Sequence, residues 1–110
     1  MRFDDYQLQA HETSKNTAIG GDTLIYPVMG LGDEIGEVLG KLKKIYRDKD
    51  GVFDDDDKSA IGKELGDVLW YLAEICTQME ISLSGVAWAN IEKLGDRAKR
   101  GKIGGSGDDR

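Results

Sequence analysis

The feature that most constrains this chain is an internal repeat. Shifted by thirty residues, the stretch Leu31 to Ile45, "LGDEIGEVLGKLKKI", overlays Ile61 to Ile75, "IGKELGDVLWYLAEI". Seven of the fifteen positions are identical, and three more are Leu/Ile or Glu/Asp exchanges. At about 100° per residue both copies show the same three-sided helix. Leu31, Ile35, Val38, Leu39, Leu42 and Ile45 make the apolar face of one copy, and Ile61, Leu65, Val68, Leu69, Leu72 and Ile75 that of the other. Gly32, Gly36 and Gly40 climb one flank, echoed by Gly62 and Gly66, while Glu34, Glu37 and Lys41 climb the other, echoed by Glu64, Asp67 and Tyr71. A short connection makes such a pair an antiparallel αα-hairpin.

Both flanks carry a penalty. An interior glycine costs a helix roughly 1 kcal/mol relative to alanine, and acids at i,i+3 repel. Acids in that spacing usually form a solvated face. Here, matched pairs on two repeats converge when the copies pack antiparallel, which sets Glu34, Glu37, Glu64 and Asp67 on one rim of the seam. Four crowded carboxylates stay ionised only beside positive charge. An all-oxygen set suits a hard divalent cation, and magnesium also takes water and phosphate oxygens. The glycine flanks are expected to admit a second backbone at close range.

The remaining periodicity is helical as well. The expected fold is all-α, a four-helix bundle with helices at roughly 3–18, 27–48, 56–80 and 84–100. Asp4 or Asp5 is placed to cap the first helix and Ser84 the last, and Pro27 suits a first turn. The chain should form one domain over residues 1–103, with a disordered tail at 104–110. Acids outnumber bases 21 to 15, a formal charge of −6. That balance speaks against nucleic acid as a partner. Cys76 stands alone, so no internal disulfide is possible, which suits a reducing, cytoplasmic setting. No apolar run approaches the ~20 residues of a membrane span, and the acidic start does not read as a signal peptide. The run "DKDGVFDDDDK" does not fit a calcium loop. With Gly51 sixth, Tyr46 falls first and Asp57 last, where an oxygen ligand and a bidentate glutamate belong. It reads instead as a turn and an acidic helix start.

The spacing of "E-I-G-E" (Glu34 to Glu37) and "E-L-G-D" (Glu64 to Asp67) resembles the ExxE…ExxD signature of MazG-type nucleotide pyrophosphohydrolases, in the all-α nucleoside triphosphate pyrophosphohydrolase superfamily. The likeness covers roughly Tyr26 to Gly101. Where the family often begins with a double glutamate, this chain has Asp33-Glu34, with Asp33 turned off the acidic flank. Asn90, Lys93 and Arg97 in "NIEKLGDR" resemble the family's Asn-x-x-Lys…Arg stretch. They share one helical stripe, with a guanidinium able to grip phosphate in a fork. The resemblance implies Mg²⁺-dependent hydrolysis of nucleoside triphosphates, dNTPs or modified nucleotides, to monophosphate and pyrophosphate. It makes Glu34, Glu37, Glu64 and Asp67 the catalytic metal ligands, and gives Asn90, Lys93 and Arg97 to the substrate. Which glutamate serves as base is left open.

Lys41 and Tyr71 share the acidic flank. Lys41 is placed either to pair with an acid or to reach a phosphate, and Tyr71 to touch ribose or base. Trp70 points away from the apolar face and reads as an exposed subunit contact. Trp88 reads as core or interface, and His11 as an exposed helix residue. A homodimer or homotetramer is expected. Two alternatives stand beside this reading: a non-catalytic helical scaffold, and a dUTPase or phosphoribosyl-ATP specialist of the same superfamily.

Overall fold

The computed structural model describes residues 1–110 and is all-helical: α1 Phe3–Glu12, α2 Ile25–Lys49, α3 Asp55–Gln78 and α4 Leu83–Lys99. The repeat builds its centre. α2 and α3 run antiparallel along their length, as shown by Lys49 against Asp54, Lys41 against Glu64 and Tyr26 against Tyr71. α1 lies on α3, and α4 packs against α1 and α3. No Cα of α4 comes within 8 Å of α2. No helix is long and apolar enough to cross a membrane.

The helix ends follow local hydrogen bonding. α1 stops at Glu12, short of the expected residue 18. Thr13 Oγ1 donates to Ala10 O at 2.7 Å, Ser14 Oγ accepts from Asn16 N at 3.1 Å, and Asn16 takes φ +50°. Short polar side chains here offer the backbone partners that compete with a helix. At the start of α1, Asp5 is not the cap; it sits in the first turn and accepts from Arg2 N at 2.9 Å. α2 begins at Ile25, two residues before expectation, so the buried Pro27 falls in a first turn whose N–H groups have no helical partner in any case. At α3, Asp54 accepts from Asp57 N at 2.7 Å while Asp57 accepts from Asp54 N at 3.0 Å, a capping box made of aspartates. The cap of α4 is Ser82 rather than Ser84: its Oγ accepts from Gly85 N at 3.1 Å and donates to Asp4 Oδ1 at 2.9 Å.

The core is thin. Only 8 of 110 residues are buried, and a small apolar cluster of Ala10, Ala73, Cys76 and Leu83 ties α1, α3 and α4 together. The radius of gyration, 17.0 Å, exceeds the about 13 Å of a compact chain this long. A third of the expected seam is exposed. Ile35, Leu39, Leu65 and Leu72 are exposed, Leu39 by 60%. Within one chain nothing approaches the glycine flanks: a Cβ on Gly32, Gly36, Gly40, Gly62 or Gly66 would meet nothing within 4 Å. Within α2 the glycine that is needed is Gly30, where a Cβ would run into the ring of Tyr71.

Candidate metal and phosphate site

The two long helices deliver the acids because the repeat fixes their register. Glu34 comes from α2; Glu64 and Asp67 come from one face of α3, a turn apart. One carboxylate oxygen from each of the three lies within 4.8 Å of the others. Glu34 and Glu64 are half-buried and Asp67 is exposed, so the cluster opens to solvent on one side. Glu37, a turn beyond Glu34, is exposed and outside this group. Lys41 Nζ is 3.4 Å from Glu64 Oε1, so of the two positions open to it the structure shows the ion pair.

The crowding leaves an electrostatic mark. The Glu34 carboxyl is raised above its ordinary range, first by partial burial, then by the charge of Asp67 and by a hydrogen bond and charge from Glu64, with Asp33 a smaller contributor. A single lysine does not neutralise the group. Three carboxylates with no softer donor among them suit a hard cation. Tyr6 of α1 borders the same cluster. Burial raises its hydroxyl pKa, and the Asp67 charge adds to the effect.

The other expected substrate residues are placed differently. Tyr71, one turn after Asp67, lies on Gly30, one turn before Glu34. Its ring stands 6.5 Å from Tyr26 and 5.0 Å, edge-on, from Trp70. Its pKa is raised by burial, then by Tyr26, and by the charges of Glu34 and Asp33, so the ring borders the acid cluster. Asn90, Lys93 and Arg97 do not join that cluster within one chain. Asn90 is exposed, Lys93 Nζ is 3.2 Å from Asp108 Oδ1, and the buried Arg97 bonds the backbone carbonyl of Asp108. Arg97 Nε is buried with no partner.

The tryptophan expectations change in part. Trp70 is no exposed contact: Nε1 donates to Thr13 Oγ1 at 2.8 Å, and the indole packs on the small core. Trp88, by contrast, is 66% exposed. His11 is exposed on α1, as expected, and its Nδ1 is 3.1 Å from both oxygens of Glu74, a carboxylate only 3% exposed. Glu74 was not singled out in the sequence. Its one signal is a lone acid in the apolar run "WYLAEIC".

The model of the MazG nucleotide pyrophosphohydrolase domain matches residues 26–101 of this chain. The chain belongs to that family. The matched MazG span runs from the second residue of α2 through the end of α4 and contains every member of the acid cluster. The "Gene 37 protein" of Mycobacterium phage L5 is 43% identical over 114 residues, covering 100% of both chains. No solved structure matches the chain.

Proposed function

We propose that this MazG protein is a magnesium-dependent nucleoside triphosphate pyrophosphohydrolase, cleaving dNTPs or modified nucleotides between the α- and β-phosphates to release monophosphate and pyrophosphate. The observation that carries the reading is the convergence of Glu34, Glu64 and Asp67 oxygens within 4.8 Å, inside the family match. In this reading those three hold the ion. When bound, magnesium supplies charge neutralisation for the phosphates and acidifies the attacking water.

The chain's own residues do the rest. Glu37, exposed and outside the converged group, is free to close the ligand set or to accept the proton of that water. The geometry favours the second role. Lys41, paired with Glu64 in the free chain, would be available to a phosphate oxygen if that carboxylate held the ion. Asn90, Lys93 and Arg97 lie away from α2, so we assign them to the phosphates held by a second copy. The exposed seam residues Ile35, Leu39, Leu65 and Leu72 give that copy a place to pack, as a homodimer or a dimer of dimers. α1 docks on α3 and belongs with the catalytic unit, which extends over residues 1–103.

A nucleotide panel incubated with and without Mg²⁺ and resolved by ion exchange tests the reaction. Monophosphate and pyrophosphate are expected, only with the metal. Orthophosphate as the product, or no turnover of any triphosphate, overturns it. Light scattering tests the assembly, and a monomer rules out the shared site.

A further inference from the structure

A second feature of the molecule lies beside the acid cluster and is not used by it. A cavity of about 240 Å³ opens between the loop joining α1 to α2 and the side of α3. It is smaller than the roughly 300–1,000 Å³ of sites that enclose whole drug-sized ligands, so it takes one ring system rather than a complete nucleotide. Tyr26, Trp70 and Tyr71 provide flat apolar walls, and Asn16, Thr23 and Glu74 provide polar ones. Tyr71 joins cavity and cluster, being one turn of about 5.4 Å from Asp67 along α3.

The polar wall is wired in one direction. Glu74, as a carboxylate, only accepts hydrogen bonds. The Gln78 atom 2.9 Å from Glu74 Oε1 is therefore the amide nitrogen Nε2, which fixes the orientation of that side chain. Gln78 Oε1 then faces Thr23 Oγ1, which donates to it at 2.6 Å. The other Nε2 proton goes to Asn16 Oδ1 at 3.1 Å. Asn16 is left with its Nδ2 group making no hydrogen bond in the chain, on a residue held in the left-handed backbone region at φ +50°. His11 anchors the far end of the relay through Glu74.

We propose that this cavity is the nucleobase subsite and that Asn16 Nδ2 selects the base by donating to a carbonyl on its edge. Uracil, thymine and guanine present such a keto oxygen, where cytosine and adenine present an amino donor. The inference rests on the pyrophosphohydrolase reading for its phosphate end, while the relay itself is independent of it.

The test is kcat/KM of the full chain with Mg²⁺ for dTTP, dUTP, dGTP, dCTP and dATP. Keto bases should exceed amino bases by roughly tenfold, the scale of one net hydrogen bond. Asn16→Ala should narrow that spread to about threefold or less, the scale of a single neutral hydrogen bond lost. Asn16→Asp, which replaces donor by acceptor, should move the preference towards amino bases. A base ranking unchanged in both variants overturns the proposal. A second readout needs no catalysis: in Trp88→Phe, Trp70 is the remaining indole, and thymidine without phosphate should quench it saturably. Asn16→Ala should weaken that binding roughly tenfold, and thymidine binding unaffected by the variant counts against Asn16. Quenching by thymidine with no hydrolysis of any triphosphate supports the base site and removes the pyrophosphohydrolase reading instead.

Discussion

The α2–α3 hairpin holds two acidic groups that have met opposite fates. At its closed end, Lys49 lies 2.7 Å from Asp54 and also bonds Asp57, and the two aspartates bond each other's backbone N–H groups. Lys49 and those backbone bonds hold the Asp54 carboxyl down to about 2. Further along the same pair of helices, Glu34, Glu64 and Asp67 share only the 3.4 Å contact with Lys41, and the Glu34 carboxyl is pushed up. The more acidic stretch of sequence is thus the electrostatically satisfied one. The less conspicuous acids, spread over thirty residues, are those left wanting positive charge. Density of acids in a sequence says little about a metal site; unmet charge in the fold says more.

Substitutions should separate the two groups most sharply. Glu64→Gln and Asp67→Asn remove ligand charge while keeping shape, and pyrophosphate release should fall by about a thousandfold or more. Far-ultraviolet circular dichroism should show helicity unchanged. Asp54→Asn, which alters the closed end, should leave the rate within about twofold and lower the melting temperature by at most a few degrees, since asparagine still caps the helix and only the exposed Lys49 pair is lost. Comparable losses of activity from both ends would erase the distinction.

Gly30→Ala comes next in size. Its Cβ collides with the Tyr71 ring, and overpacking of this kind costs about 1–3 kcal/mol, read as a lower denaturant midpoint. Gly36→Ala should do the reverse, since nothing lies within 4 Å of that site and helix propensity favours alanine. The gain expected is about 0.5–1 kcal/mol provided a second copy does not pack there, so a loss would place an interface on that flank.

The smallest expected effect is on pH dependence, and the two ends differ in sign. Glu34 binds its proton more tightly folded than unfolded, so its contribution to stability is complete below its ordinary 4.5 and is lost as pH rises through its raised value. Asp54 has a depressed value, so its contribution is present above its ordinary 3.8 and is lost as pH falls towards about 2. In metal-free buffer, Glu34→Gln should therefore flatten the fall in melting temperature as pH rises above the ordinary 4.5, and Asp54→Asn should soften only the acid limb. Magnesium should abolish the first slope, because the ion takes the place of the proton.

The hairpin and its acids were legible in the sequence because a thirty-residue repeat carries helical period, register and flank together. The exposed third of its seam was not, since a helical wheel shows which residues are apolar and not how many a single partner helix can cover. Trp70 was misplaced for a related reason: α1 covers the side of α3 that the two-helix pattern left open. The end of α1 depended on the side chains of Thr13 and Ser14 taking backbone partners, a local competition that periodicity does not register. The Glu74–Gln78–Asn16 relay joins α3 to residues of α1 and the following loop that lie 55 to 63 positions away, through Thr23–Gln78 and His11–Glu74, and no spacing rule points to it. Lys93 and Arg97 were recognised by their stripe, yet their bonds to Asp108 and their distance from α2 belong to tertiary structure alone.

Calorimetric titration of Mg²⁺ into the nucleotide-free protein at pH 7 tests the central claim most directly. Saturable binding is predicted for the unaltered chain and for Asp54→Asn, and its loss is predicted in Glu34→Gln, Glu64→Gln and Asp67→Asn. Binding that persists through those three substitutions, or that disappears only with Asp54→Asn, would place the ion elsewhere and contradict the account.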